Sequence, residues 1–216
     1  MSKVYFISDL HLGHRNIPKY REQYGDQFKT LESHNEFIIS QIQQTVGSRD
    51  TLWILGDTCF TKETLPLLNE INCVKHLILG NHCTERLHIS EYLKYFKDIH
   101  GMFKHKSGMW LTHAPIHPDQ LRGRFNIHGH IHGDKLSIQS WKYFNCSGEN
   151  INFKPIELEE IREKIWNNFL LSNQDILTET NISIQDILIH NGFTIHKVNK
   201  MLNKNLSLPE VNHESK

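Results

Sequence analysis

The sequence predicts an α/β fold built from two stacked sheets, and three features carry that reading. In the N-terminal half, short β-rich runs alternate with stretches of helical period, as parallel βαβ units require. Each run stops at a polar, glycine-containing loop, the end at which open parallel sheets present functional groups. From residue 99 the long helical stretches cease and short β-rich runs follow one another, which predicts a second, mixed sheet packed on the first.

Residues 3–8 form the first β-rich run and end in a histidine-rich loop. Residues 32–46 carry Phe37, Ile38, Ile42 and Val46 at helical spacing. Residues 51–55 read as a second strand, closed by Gly56-Asp57. A helix is expected at 65–71, then a third strand at 74–79 ending at Gly80-Asn81-His82. Residues 85–96, with Leu87, Tyr92, Leu93 and Phe96, read as helical. Short strands are expected within 99–112 and at 125–128, 135–140 and 143–147. Residues 157–173 place Leu158, Ile161, Ile165 and Phe169 on one helical stripe, with Glu157, Glu159 and Glu160 at the positive end of the helix. That helix is read as a cover for the core. Farther on, Ser183-x-x-Asp186 has the form of a helix start and Asn191-Gly192 of a helix stop. Ile195, Val198 and Leu202 suggest one more short helix, and 203–216 a frayed polar tail. The expected organisation is a main domain over 1–156, a packing helix over 157–173 and a helical extension over 174–216.

Composition narrows the function. Lysine plus arginine equals aspartate plus glutamate at 24 each in a chain of 216, so no global field draws in nucleic acid. The 16 histidines are many, and they spread from His11 to His213 rather than clustering as a tag would. Histidine is the commonest metal ligand. Cys59, Cys73, Cys83 and Cys146 include no CxxC pair, which argues against a structural zinc knuckle and for free thiols in a reducing cytoplasm. The apolar run at the N-terminus is too short for a signal peptide, and no stretch has the length of a membrane span.

The predicted strand ends collect Asp9, His11, Asp57, Asn81, His82, His113, His130 and His132. All are donors that hard or borderline divalent cations accept. Asp9-x-His11 and His130-x-His132 each offer two side chains from one loop, and three histidines within residues 128–132 serve no packing purpose. A carboxylate such as Asp57 has the two oxygens needed to lie between two cations. Alone, Gly56-Asp57 would be an ordinary turn and His113 a satisfied core histidine.

In order, Asp9-Leu-His11, Gly56-Asp57, Gly80-Asn81-His82, His113 and Gly129-His130-Ile-His132 resemble the motifs of the calcineurin-like metallophosphoesterases. They span the first two-thirds of the chain. The resemblance implies a two-sheet α/β sandwich of the metallophosphoesterase type, with flanking helices and a helical C-terminal extension. It implies that Asp9, His11 and His132 hold one divalent ion, that Asn81, His113 and His130 hold another, and that Asp57 bridges them. Manganese is the expected metal, with iron, zinc, nickel or cobalt as alternatives. His82 would act on the substrate rather than on metal. The implied reaction is hydrolysis of phosphodiesters or phosphomonoesters by an activated hydroxide, on substrates that include nucleotides and nucleic acids. The stretches 8–14 and 145–149 resemble a subgroup of small bacterial and phage phosphoesterases. Two departures stand out: Cys83 occupies a position that is often acidic, and Thr58-Cys59-Phe60 replaces the Asp-Arg-Gly continuation of the protein phosphatases.

His14, Asn16, Arg122 and Arg124 are the candidate phosphate contacts, by proximity to the motif loops and the match of guanidinium to phosphate. His128 is read as a supporting hydrogen-bonding residue, and His34, His76, His88, His100 and His105 as surface residues. Two other functions compete with this one. A non-catalytic scaffold fits poorly with a full ligand set. A nucleic-acid-binding protein would use residues 183–202 as a helix-turn-helix-like segment, which offers only His196, Lys197 and Lys200 from its second helix.

Overall fold

The computed structural model describes residues 2–134, 136, 140–179 and 182–190, and in it the alternating runs form a five-stranded sheet. Strands β1 (Val4–Ile7), β2 (Thr51–Leu55), β3 (Val74–Ile78) and β4 (Asp98–His100) pair in parallel, in the order β4-β3-β2-β1. A two-residue strand at Ile156–Glu157, which takes the label β9 in chain order, pairs antiparallel with Tyr5 and Phe6 at the free edge of β1. The second sheet runs β5 (Met102–Lys104), β6 (Met109–Thr112), β7 (Phe125–His128) and β8 (Tyr143–Asn145). Its last three strands are parallel, and β5 is antiparallel to β6. The chain is therefore a two-sheet α/β sandwich.

Side chains alternate across β1 and β2, and both faces are buried, which is why these strands read as continuous apolar runs. Tyr5, Ile7, Leu52 and Ile54 join one core with Ile38, Ile39 and Ile42 of the helix α2 (Leu31–Thr45). Phe6, Trp53 and Leu55 join the other, with Met109, Leu111 and Ile127 of the second sheet and Ile161 and Ile165 of a C-terminal helix. Helix α2 starts at Thr30, whose hydroxyl accepts the Ser33 N–H while Ser33 bonds back to Thr30. Short helices α1 (Ile17–Arg21), α3 (Ile89–Tyr92) and α4 (Pro118–Leu121) lie in the connections.

The structure corrects several boundaries. Residues 65–70 fall within a 3-10 helix, Lys62–Glu70, with Ile71 as its C-cap, because Pro66 has no N–H for an α-helical ladder. The helix expected over 85–96 shrinks to α3, since the His88 ring caps the Ser90 N–H and starts the helix only there. The stretch 99–112 divides between the two sheets, as β4 completes the first. Most of the strand expected at 135–140 lies outside the described residues, and Ser140–Lys142 is a 3-10 turn.

The chain divides into two units, Met1–Ser172 and Asn173–Lys216. Helix α5 (Leu158–Ser172) thus belongs to the main unit, where its apolar stripe completes the inter-sheet core. In the second unit α6 spans Gln174–Glu179 and α7 spans Ile184–His190. Ser183 and Asp186 cap α7 reciprocally, as their spacing predicts. The expected stop at Gly192, the helix near 195–202 and the tail lie outside the described residues. Among the described residues, no helix is long and apolar enough to cross a membrane.

Leu52 is fully buried in β2. Leu52→Ala should therefore lower unfolding free energy by about 2–5 kcal/mol, read as a lower denaturant midpoint with an unchanged slope. A cost below ~1 kcal/mol would mean that this core collapses around the gap.

Candidate metal centre

The loops after β1, β2, β6 and β7 are stitched into one layer by backbone hydrogen bonds. Asp9 N–H donates to the Gly56 carbonyl at 3.2 Å, His11 N–H to Asp57 at 2.9 Å, and Gly129 N–H to His113 at 2.8 Å. This close approach requires glycine: a Cβ at Gly56 would run into the His113 ring, and one at Gly129 into Ser8 and Asp9. Asp9, His11, Asp57, His130 and His132 all adopt positive φ, at 58°, 53°, 45°, 73° and 48°. Non-glycine residues seldom occupy that region, and such strain concentrates at functional sites.

Asp9 and Asp57 are buried, and each has one oxygen held by a backbone N–H. His130 N–H donates to Asp9 Oδ2 at 3.0 Å, and His82 N–H to Asp57 Oδ1 at 3.0 Å. Asp9 Oδ1 has no hydrogen-bond partner among the described residues, nor has either ring nitrogen of His11. Around that oxygen stand His11 Nε2 at 3.8 Å and His132 Nε2 at 3.9 Å.

A second group converges nearby. Asn81 Oδ1 lies 2.9 Å from His113 Nε2 and 3.1 Å from His130 Nδ1, and these two ring nitrogens are 3.2 Å apart. Asp57 Oδ2 is 3.2 Å from His113 Nε2. The Leu55 carbonyl, 2.8 Å from His113 Nδ1, requires a proton on Nδ1. In the neutral ring Nε2 then carries a lone pair and faces oxygen and nitrogen lone pairs. Two sets of acidic and imidazole donors gather as a metal ion needs, Asp9 with His11 and His132, and Asp9 with Asp57 and His113, and Asp9 is common to both.

Charges follow the packing. Burial, then Arg21, holds the His11 pKa well below its ordinary value; burial, then His113, lowers that of His130. His113 is raised: burial works against it, but the hydrogen bond with Asp57 and the charge of Asp9 prevail. Asp57 is correspondingly lowered: burial works to raise it, but the hydrogen bond and charge of His113 and the His82 N–H together prevail.

Residues that sequence reasoning missed support these donors. Glu149 Oε1 accepts from His132 Nδ1 at 3.0 Å, which leaves Nε2 facing Asp9. Arg21 is fully buried and spans 2.8 Å to Glu149, 2.7 Å to the Asp9 carbonyl and 2.8 Å to His34 Nε2. His34, expected on the surface, is buried because it accepts from Arg21 and contacts Asn35, which holds the Gly13 N–H. Burial, then Arg21, pushes its pKa down to about 4. Glu149 lies in the 145–149 stretch already singled out. Nothing in the sequence marks Arg21. His105, also expected on the surface, is buried beside Phe6 and Trp53, while His76 and His100 stack on Trp53. His128 is fully buried, with Nδ1 2.8 Å from the Gly129 carbonyl.

His82 stands over the site, its ring 5.2 Å from Phe60 and 6.3 Å from His11. Its Nδ1 lies 2.8 Å from Glu85, so the carboxylate beside it comes from Glu85 while Cys83 is buried with Sγ toward the Gly80 N–H. His14 packs edge-on against Phe60 at 4.4 Å, and Asn16 is exposed at the start of α1. Arg122 and Arg124 are corrected. They precede β7, and Arg124 Nη1 points toward Gly108 ahead of β6, whereas the donors gather where these parallel strands end. The short strand carries the chain away from them before His128.

Fold and site together define an α/β sandwich with a candidate metal centre at its strand ends. No protein-family model matches the chain. The chain belongs to the same family as Uncharacterized protein MJ1445 of Methanocaldococcus jannaschii, with 31% identity over 173 residues, 74% of this chain and 90% of that protein. Gene 66 protein of Mycobacterium phage L5 is 30% identical over 170 residues, covering 63% and 80% respectively. The crystal structure of the protein of unknown function AQ665 from Aquifex aeolicus matches 76% of this chain and all of that one, at a TM-score of 0.61 and 24% identity, which shows the fold.

Burial opposes ionisation of Glu149, but the His132 hydrogen bond and Arg21 hold its pKa at about 2 against an ordinary 4.5. A depressed carboxylate stabilises the folded state above its unfolded pKa, and that contribution is lost as pH falls through the folded value. In metal-free protein Glu149→Gln should therefore be destabilising near neutral pH, and its deficit should shrink as pH drops from 4.5 toward about 2. Urea unfolding across that range checks this; a deficit that stays constant would show that charge is not the cause.

Proposed function

We propose that the chain is a dinuclear-metal-dependent phosphoesterase of the metallophosphoesterase type, favouring phosphodiesters over phosphomonoesters. The observation that carries this reading is the convergence of donors: a buried Asp9 oxygen and both His11 ring nitrogens without a hydrogen-bond partner among the described residues, beside His113 Nε2, His130 Nδ1 and Asn81 Oδ1 within 3.2 Å of one another. Leaving buried polar groups unmatched is costly, and cations would match them. Asp9, His11 and His132 would hold one ion; Asn81, His113 and His130 would hold the other, with Asp57 between. Asp9, common to both acidic groups, is a second carboxylate able to serve both ions. The mixed oxygen and nitrogen donors suit manganese, and also iron, zinc, nickel or cobalt. When bound, such ions supply Lewis-acid polarisation of a phosphoryl oxygen and acidify water.

The chain's own groups supply the rest. In ester hydrolysis phosphorus gains an oxygen from water and loses its bond to the leaving alcohol, whose oxygen takes a proton. His82, with Nδ1 beside Glu85, has Nε2 free to deliver it. Phe60 packs against the rings of His11, His14 and His82 and keeps water from that side. Nucleotides and nucleic-acid esters fall within the substrate range. Four free cysteines fit a reducing, cytoplasmic setting.

Protein stripped of metal and restored with Mn²⁺ should hydrolyse bis-p-nitrophenyl phosphate faster than p-nitrophenyl phosphate. Asp57→Asn should lose at least about a hundredfold in turnover. No turnover with Mn²⁺, Ni²⁺ or Zn²⁺ would sink the reading. His82→Ala should lower kcat by about a hundredfold or more while the Mn²⁺ bound per chain, measured by calorimetry, stays unchanged. A loss of bound metal in that variant would reassign His82 as a ligand.

A further inference from the structure

The two groups of donors are held in place by different parts of the chain. Arg21, the last residue of α1, donates from one guanidinium to several segments. Its Nη2 reaches the Asp9 carbonyl at 2.7 Å, its Nη1 the Leu10 carbonyl at 3.4 Å, and its Nε the Glu149 carboxylate at 2.8 Å. Asp9 and Leu10 open the loop that delivers His11. Glu149 in turn accepts from His132 Nδ1 at 3.0 Å. A single planar fork therefore ties the Asp9–His11 loop to the ring of His132, a task that suits a guanidinium and not the point charge of an ammonium.

The support extends on both sides of that fork. Arg21 Nη1 donates to His34 Nε2 at 2.8 Å, and His34 Nδ1 donates to Asn35 Oδ1 at 3.1 Å. Asn35 Oδ1 also accepts the Gly13 N–H at 3.3 Å, so helix α2 holds the far end of the same loop. The His132 carbonyl accepts from the side-chain amides of Asn145, at 2.7 Å, and of Asn150. Arg21 is fully buried, with its guanidinium 5.0 Å from the centre of the Phe153 ring. Among the described residues, no hydrogen bond of Arg21, His34 or Glu149 reaches Asp57, Asn81, His113 or His130. Those four have other anchors, among them the Leu55 carbonyl on His113 Nδ1 and the His82 N–H on Asp57 Oδ1.

We infer that Arg21 and Glu149 are positioning residues for one ion alone, the one assigned to Asp9, His11 and His132, so that losing the pair empties that site and leaves the other filled. The inference rests on the dinuclear reading and divides the centre into two separately supported halves. Orientation is the cause. A carboxylate on the far nitrogen of a ligating histidine fixes which nitrogen faces the ion and how the ring is turned, and its removal typically costs about 10–100-fold in metal affinity. Here the carboxylate is itself fixed by the guanidinium that grips the Asp9 carbonyl, so three donors move together.

The test is a double variant, Arg21→Met with Glu149→Leu. Removing one partner leaves a buried charge unpaired, whereas replacing both by apolar side chains is often neutral for stability. The double change also leaves the net charge as it was, so a change in cation affinity reports position rather than field. The full-length chain is titrated with Mn²⁺ by calorimetry and followed by electron paramagnetic resonance, with circular dichroism as the check on folding. The native chain should bind two ions that give the signal of a magnetically coupled pair. The double variant should bind one ion at native affinity and the other about 10–100-fold more weakly, and should show the hyperfine spectrum of an isolated Mn²⁺. Adding Asn81→Ala should then weaken the ion that remains. Arg21→Lys, which keeps the charge and loses the fork, should fall between native and double variant, and it carries the comparison if the double variant does not fold. Equal weakening of both ions, or of neither, would overturn the inference and leave the dinuclear reading standing. A native chain that binds fewer than two ions would overturn both.

Discussion

An electrostatic conflict lies at the centre of this structure. Asp9, Asp57 and Glu149 bring three carboxylates into a buried layer where, among the described residues, Arg21 is the one buried guanidinium. Interspersed among them are imidazoles whose free nitrogens face oxygen rather than protons. Ions taken from water into a protein interior cost several kcal/mol each unless paired, so this arrangement depends on what fills the space between the donors. Divalent cations would turn a local excess of negative charge into an excess of positive charge. That is the sign a phosphate ester requires, and the sign the bare protein does not provide.

The rest of the fold can be understood as a frame that holds the conflict in place. Parallel strands end on the same side of a sheet, so β1 and β2 deliver Asp9 and Asp57 next to each other without any long-range coincidence. The second sheet repeats the device with β6 and β7, which deliver His113 and the His130 loop. Packing the sheets through Phe6, Trp53, Leu111 and Ile127 then closes the two halves around one space. Rigidity comes from the interlocked loops. Their left-handed residues and the glycines beneath them leave the donor side chains little freedom to relax away from one another. Preorganisation of this kind lowers the reorganisation needed when a cation or a substrate arrives.

How much of this could be read from residues alone follows a physical divide. Strand ends were legible because a run such as Thr51–Leu55 announces itself by buried side chains on both faces, and the polar loop after it by glycine. The donors were legible because aspartate and histidine in such loops have few structural reasons to be there. Helix lengths were less so: Leu87, Tyr92 and Phe96 have helical spacing, yet the ring of His88 caps the chain at a later point. Arg21 was invisible, since its burial is set by Glu149, far along the chain, and by backbone carbonyls that no residue identity encodes. His34 was misplaced on the surface for the same reason. Its partner is Arg21, and neither residue predicts burial without the other.

Arg21, together with burial, also explains why His11 and His34 stay neutral. A guanidinium stays protonated at any ordinary pH and is more weakly hydrated than an ammonium, so it can be buried where a lysine would shed its proton. Lying against the Asp9 carbonyl and Glu149, it offsets one carboxylate and disfavours protonation of His11 and His34 through its own field. Neutral His11 keeps a lone pair to offer. The same guanidinium anchors Glu149, which accepts from His132 Nδ1 and so turns Nε2 toward Asp9. One buried cation therefore acts on side chains of two separate loops, through its field on His11 and through Glu149 on His132, and it does so from a helix that contributes no donor of its own to the centre.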